Sequence, residues 1–432
     1  MTQQSLAGAP PQRRLPSFLR QVGPGIVTGA ADDDPSGIAT YTQAGAQFGT
    51  GVLWTLFLTA PFMIAIQLVS GRIGRQSGKG IIANLKTQAP RPFVMAIVSL
   101  LLVANTINIA ADIGAMGAAL QLVVGGGKHF HALLFGVATV LLQVFVPYRR
   151  LAPILKWLTL SLFVYVGAAF TLHIPWEKVL HDMVVPRLSS SSAFWMTVVA
   201  ILGTTISPYL FFWQASQEVE ELEQAGIKPG REKVKHVYRA LKRLRLDTVV
   251  GMVFSNAIAF FVMLTGAIAL HAAGQTEVTS AAQAAEALRP LAGELAFALF
   301  ALGIISTGML AVPVLASSAA YAVAEAFGWR EGLGRHWYEA RGFYAIIVVA
   351  TLVGMALSFT AIDPIKALVW AAVINGVVSV PIMAAMMMLS SNPAVMGPLV
   401  VRRQTRWFGW GAVAVMAAAV VLMGHDVLAA RP

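Results

Sequence analysis

The chain has no cysteine. Disulfides, thiolate metal sites and cysteine nucleophiles are therefore excluded, and any ligand set must draw on oxygen, nitrogen or methionine sulfur. Charge is scarce as well: charged residues make up 12% of the 432, against 57% hydrophobic ones and a mean hydropathy of +0.70. That balance excludes a soluble core. The expected fold class is an all-α polytopic membrane protein, because backbone in lipid must satisfy its own hydrogen bonds. Acids are fewer than bases, 20 against 31, for a net charge of +11. Residues 1–22 carry Arg13, Arg14 and Arg20 but lack the apolar run of a secretory signal, so they read as a short disordered cytoplasmic tail.

Eleven stretches approach the roughly 20 residues that a bilayer core requires. They cover 23–47, 51–71, 92–122, 131–147, 151–173, 194–216, 246–271, 290–318, 342–360, 365–389 and 407–428. With the N-terminus in the cytoplasm, all Lys and Arg fall on inside segments except Lys128, Lys178, Arg187, Arg289, Lys366 and Arg431. The positive-inside rule is thus obeyed, and an odd span count leaves the C-terminus outside. A bacterial inner membrane is the expected setting. The basic excess is read as topology, with anionic lipid as its partner and nucleic acid excluded as one. The charged segment from Gln217 to Asp247 is expected to form a solvated amphipathic helix.

Where acids do occur, one placement is costly. Asp32, Asp33 and Asp34 run directly into Pro35, Ser36 and Gly37 inside the first span. Each carboxylate in the bilayer centre costs about 2.5–3.5 kcal/mol on insertion scales, and the proline beside them breaks the helix and frees carbonyls. A bound cation would offset both penalties; a loop at the membrane surface is the plainer reading. The sixth span repeats the interruption at Gly203-Thr204-Thr205-Ile206-Ser207-Pro208-Tyr209. Spans one and six correspond if two five-helix halves face opposite ways, and paired broken helices are the best sequence pointer to a transport site halfway across the membrane. A packing kink is the alternative for Pro208.

The motifs Gly23-Pro24-Gly25, Asp34-Pro35-Ser36-Gly37-Ile38-Ala39-Thr40 and Gln43-Ala44-Gly45 resemble the first helix of the NRAMP family of proton-coupled divalent-metal transporters, whose motif is Asp-Pro-Gly-Asn. Span six is similar to the family's Met-Pro-His helix, and Arg72 and Gly80 follow span two as they do in the family. The resemblance implies a LeuT-like five-plus-five inverted repeat over 23–430, with a first repeat at about 23–173, a second at about 194–389 and an extra helix at 407–428. It places Asp34 at the metal-binding aspartate, and Ala31 and Thr204 at positions that offer backbone carbonyls. The family's asparagine is replaced by Gly37, its methionine by Ser207 and its histidine by Tyr209. Asp112 falls where the family has an acid linked to proton movement, whereas a neighbouring acid is lost near Ile109; Asn375 lies close to its polar residue in span ten.

These departures change the expected chemistry. Methionine sulfur favours late transition metals; with Ser207 in its place, Asp34, Asp33 and backbone or hydroxyl oxygens form a hard set suited to Mg²⁺ or Mn²⁺, with Gly37 and Ser207 leaving room for retained water. The expected cargo is that of the magnesium-transporting relatives of the family, moved with protons or down the membrane potential, with no cofactor. Asp112, Tyr209, Gln214 and Asn375 are candidates for a proton path or outer shell, although Tyr209 cannot titrate near neutrality as histidine does. Asn105, Asn108 and Asn256 are assigned to interhelical hydrogen bonds, and Met383, Met386, Met387 and Met388 to packing or lipid contact. The scattered histidines make no zinc spacing. Two alternatives stand: an organic-solute transporter of the same fold, and an intramembrane aspartyl protease pairing Asp34 with Asp112.

Overall fold

The computed structural model describes residues 28–29, 31–146, 159–227, 234–360, 362–397 and 400–429. The expected tail 1–22, the Gly23-Pro24-Gly25 motif and the first part of span five lie outside the described residues. Among those described there is no β-strand. The helices that frame the site are α1 (Pro35–Phe48), α2 (Trp54–Ser77), α3 (Ile81–Leu85), α4 (Arg91–Val124), α5 (Lys128–Phe145), α6 (Phe163–Thr171), α7 (Trp176–Val184) and α8 (Ser192–Thr205). They continue with α9 (Pro208–Gln224), α10 (Val234–Thr265), α11 (Ala296–Phe327), α12 (Arg341–Leu357), α13 (Pro364–Ser391) and α14 (Arg403–Ala429).

Eight helical stretches among the described residues are long and apolar enough to cross a membrane, with Ser192–Gln224 counted as one; Leu160–Thr171 and Arg341–Leu357 are shorter apolar helices. Together with the interrupted first span they follow the expected order of eleven. Large apolar side chains such as Phe57, Leu134, Phe170 and Trp407 face outward, as lipid contact requires.

One expectation is corrected. The charged segment 217–247 is not a separate amphipathic helix: α9 runs on to Gln224 and α10 already begins at Val234. Extending an existing helix adds one hydrogen bond per residue, whereas a separate helix must nucleate again. The Met383–Met388 cluster packs as expected, with Met383, Met386 and Met387 fully buried and Met388 exposed.

Both interruptions are set by proline. Pro35 and Pro208 each open a helix, at its first turn, where a missing N–H costs nothing. The carbonyls four residues upstream, of Ala31 and Thr204, lose the donor that a continuous helix would supply. Small residues then let the broken rods close on their neighbours. A Cβ on Gly203 would lie 2.1 Å from the Ala372 carbonyl oxygen of α13, and one on Gly45 would lie 2.1 Å from that of Met263 in α10. Both contacts are backbone to backbone, the close approach that small residues permit between membrane helices.

Candidate metal centre

Asp34 is the N-cap of α1, in extended backbone, and is 1% exposed. Its Oδ1 accepts from the Gly37 amide at 2.8 Å and the Ser36 hydroxyl at 2.6 Å. Capping alone would account for those two bonds. The other oxygen is used differently: Oδ2 accepts from the Asn108 side-chain amide of α4 at 3.2 Å and faces the Tyr209 hydroxyl of α9 at 3.4 Å. Tyr209 has a single proton, and it goes to the Ala31 carbonyl at 2.9 Å. The hydroxyl therefore replaces the donor that Pro35 removed, and it ties the break of span one to that of span six.

Ser207 caps α9 and donates across its own break, to the carbonyls of Thr204 at 2.8 Å and Gly203 at 3.1 Å. The Thr204 side chain turns toward span one: a Cβ on Gly37 would lie 3.1 Å from its Oγ1 and 3.3 Å from the Tyr41 ring. The hydroxyls of Thr204 and Tyr41 approach one another without meeting hydrogen-bond geometry, and both are buried.

Asn375 is fully buried with neither amide atom bonded. One turn further along α13, Ser379 donates to the Ile206 carbonyl at 2.9 Å, so this helix face borders the break in span six. Asp112 is fully buried with both oxygens unbonded; it lies one turn beyond Asn108 on α4 and interacts electrostatically with Asp34.

The sequence-derived set thus divides. Asp34, Ala31, Gly37, Thr204, Ser207 and Tyr209 converge at the two breaks, and Asn375 and Asp112 border them. Gln214 stands apart: it bonds to Gln67 of α2 and donates to Thr248 of α10 at 3.1 Å, an interhelical bridge that uses its amide on structure. The surface-loop reading of the acids is overturned, since Asp32, Asp33 and Asp34 are all at most 2% exposed. Asp33 turns away from Asp34 and, with Asp32, meets Ser255 of α10. Asn108, assigned to interhelical hydrogen bonding, makes such a bond, and its acceptor is the Asp34 carboxylate. Its place four residues before Asp112 on one face of a helix was the available signal.

Among the described residues, no three His, Asp or Glu side chains are gathered as a metal-holding group. The site instead offers one carboxylate with carbonyl, amide and hydroxyl oxygens. Bare oxygens of this kind, buried and incompletely bonded, suit a hard cation.

The sequence model of the Nramp family, described as natural resistance-associated macrophage protein-like, matches residues 25–425. The divalent metal cation transporter MntH of Klebsiella pneumoniae subsp. pneumoniae is 27% identical over 407 residues, spanning 92% of each chain. The manganese transporter of Eremococcus coleocola, crystallised with an aromatic bis-isothiourea compound, superposes with a TM-score of 0.75 at 16% identity, covering 98% of this chain and 90% of that one. MhsT in complex with L-phenylalanine has the same general fold, with a TM-score of 0.61 at 12% identity, covering 93% and 98%. The fold is the LeuT-like one, and the protein is an integral membrane transporter rather than an enzyme. The family match over nearly the whole chain completes the argument from the two proline breaks: the chain belongs to the Nramp family of divalent-metal transporters.

Proposed function

We propose that the protein carries a hard divalent cation, Mg²⁺ or Mn²⁺, held at the two breaks by Asp34. The observation that supports this most directly is the Asp34 carboxylate, buried between spans one, three and six, whose hydrogen-bond partners among the described residues are hydroxyl and amide groups. The Ala31 carbonyl, the Thr204 hydroxyl and the unbonded oxygens of Asn108 and Asn375 complete the donor set. Asp33 adds negative charge nearby, whereas the space beside Gly37 is closed by Thr204 Oγ1 and the Tyr41 ring and leaves no room for water there. Ser207 also blocks the soft-metal preference that a methionine would confer.

The corresponding halves, about 23–173 and 194–389, rock about this point to expose it to either side, with the N-terminus in the cytoplasm and the C-terminus outside a bacterial inner membrane. Inward movement of two charges gains about 4.6 kcal/mol per 100 mV, enough to drive accumulation without a coupled ion. Asp112, unbonded and one turn from Asn108, is the group placed to take a proton if transport is coupled. Basic residues at the inner ends of the spans contact anionic lipid. The organic-solute alternative loses its support because the sequence match is to metal transporters.

Uptake into proteoliposomes, with Mg²⁺, Mn²⁺, Ca²⁺ and Cd²⁺ competed against one another, tests the reading. Mn²⁺ and Mg²⁺ should enter and compete; a strong preference for Cd²⁺ over Mg²⁺ would refute the oxygen-site assignment. Recording internal pH during uptake at a clamped potential separates proton-coupled entry from uniport.

A further inference from the structure

α3, between spans two and three, is five residues long and too short to hold together alone. It lies at the end of the bundle that the proposed orientation puts in the cytoplasm. Its N-cap is Gly80, which has no side chain to receive the first amides. The acceptor comes instead from span eight. Glu325 of α11, 6% exposed, receives the Ala83 amide at 2.9 Å, with the Ile82 amide beside it, and its other oxygen faces the Ser216 hydroxyl of α9 at 3.4 Å. Lys86, just past α3, donates to the Glu325 carbonyl at 3.0 Å. A Cβ on Gly80 would lie 1.6 Å from Glu325 Oε1, so the carboxylate fits only against bare backbone. The segment docks as a block, because the Asn84 amide braces it through Ser77 at 2.8 Å, Lys79 at 3.0 Å and Gly80 at 2.7 Å.

These bonds join the two halves, since α3 belongs to the first repeat while Ser216 and Glu325 belong to the second. At the opposite end the halves are joined by other means. Gln43 of α1 accepts from the Val278 amide at 2.7 Å and donates to the Thr276 carbonyl at 3.4 Å. Thr197 donates to Gln47 at 3.4 Å, and His271 donates to the Ala46 carbonyl at 2.8 Å. No carboxylate takes part in these four bonds; Gln43 and Gln47 are half-buried and His271 is exposed. The Thr50 to Asp182 bond ties the first half only to the connection before span six. A hydrogen bond to a charged group is worth about twice a neutral one, and water competes for bonds at the surface. We propose that Glu325 is a positioning residue for transport: by capping α3 it holds the cytoplasmic end shut, so that the free transporter opens outward more readily than inward. The inference rests on the reading of two halves that rock about a cation at Asp34. Inward opening then requires α3 to leave Glu325, with the freed amides and carboxylate passing to water.

Because the chain has no cysteine, single reporters can be placed without background. Ala215→Cys lies on α9 where Gly74 of span two packs against its carbonyl, and Ala46→Cys lies at the contact with His271; both positions are buried. Labelling by a water-soluble maleimide, on the full-length transporter in nanodiscs, reads the opening of each end. Glu325→Gln should raise labelling of Ala215→Cys about tenfold and lower that of Ala46→Cys, a shift near the lower end of what a hydrogen bond to a charged group is worth. Gly80→Ala, which displaces the carboxylate from the other side, should do the same. Simple loss of stability would raise both reporters together; that result, or no change at either, would overturn the proposal. Mn²⁺ tests the underlying reading, because it should change labelling in the wild type and leave Asp34→Asn unaffected. A Mn²⁺ response that survives Asp34→Asn sinks the Asp34 reading and leaves the Glu325 clasp standing. A normal Mn²⁺ response with unmoved reporters in Glu325→Gln sinks the clasp alone.

Discussion

At the break in span six the backbone carbonyls are met by hydroxyl and amide donors, from Ser207 within the break and from Ser379 and Gln67 of other spans, whereas at the break in span one side-chain charge is left open. The Thr204 and Gly203 carbonyls take the Ser207 hydroxyl, the Ile206 carbonyl takes Ser379, and Gln67 reaches the Leu210 carbonyl at 3.1 Å. The repair of span one is made by Tyr209 on the Ala31 carbonyl, and the carboxylates beside it keep unbonded oxygens. Equal numbers of prolines therefore produce unequal sites. Span six is a braced scaffold with one open hydroxyl, Thr204 Oγ1, and span one brings the buried charge to which the proposed function assigns the metal ion. A buried and unsatisfied polar group costs free energy until something binds it, so selection keeps such groups where binding occurs.

Substitutions can break this contrast. Asp34→Ala should reduce divalent-metal uptake by at least about 100-fold, because one partner of a buried charge pair is worth several kcal/mol. Ser207→Ala, on the braced side, should cost about 1 kcal/mol of thermal stability, as one buried hydrogen bond does, with uptake still measurable. Asp33→Ala should fall between them, weakening uptake without abolishing it. Parallel radiotracer flux and melting curves check all three, and equal losses for Asp34→Ala and Ser207→Ala would erase the distinction between the breaks.

A second substitution sharpens it. Ser207→Met puts a soft sulfur into the oxygen set, and the ratio of Cd²⁺ to Mg²⁺ affinity should rise about tenfold, equivalent to about 1.4 kcal/mol. Competition binding measures this directly.

The smallest effect lies at the C-terminal end of span one. Beyond α1, Thr50 donates to Asp182 of α7 at 2.6 Å, and Arg187 pairs with the same carboxylate at 2.8 Å. Burial opposes the charge of Asp182, but the Thr50 hydroxyl, His181 and Arg187 outweigh it and hold the carboxyl below its usual range. A carboxyl lowered in this way adds stability above its unfolded pKa, about 3.9, and that contribution disappears as pH falls through the lower folded value. The difference in melting temperature between wild type and Asp182→Asn should accordingly stay constant from about pH 8 to pH 5 and shrink below about pH 4. A difference that shrinks near neutrality would place the latch elsewhere.

Much of the site was legible in residue order. Pro35, Pro208 and the acid run mark the two breaks in residue order, and the family resemblance picks out Asp34, Ala31 and Thr204 among them. What escaped was lateral: nothing local separates Asp34, which faces Asn108, from Asp33, which faces Ser255 two hundred residues away. Gln214 and Asn108 are both amides in apolar helices, and only their neighbours make one a bridge between helices and the other a contact to the key carboxylate. The extent of α9 and α10 was also missed, because a charged stretch between spans reads as a helix of its own although it extends the two membrane helices into water.

Composition and order alone determined a polytopic helical transporter with two interrupted spans and an acid at the first, because the bilayer penalises every unsatisfied peptide group and every unpaired charge. The tertiary structure decided which helix each carboxylate faces. That choice depends on close approach at Gly45 and Gly203 and on side chains from spans three, six and seven reaching the acid run from different sides, and contacts between distant segments leave no periodic trace in the chain.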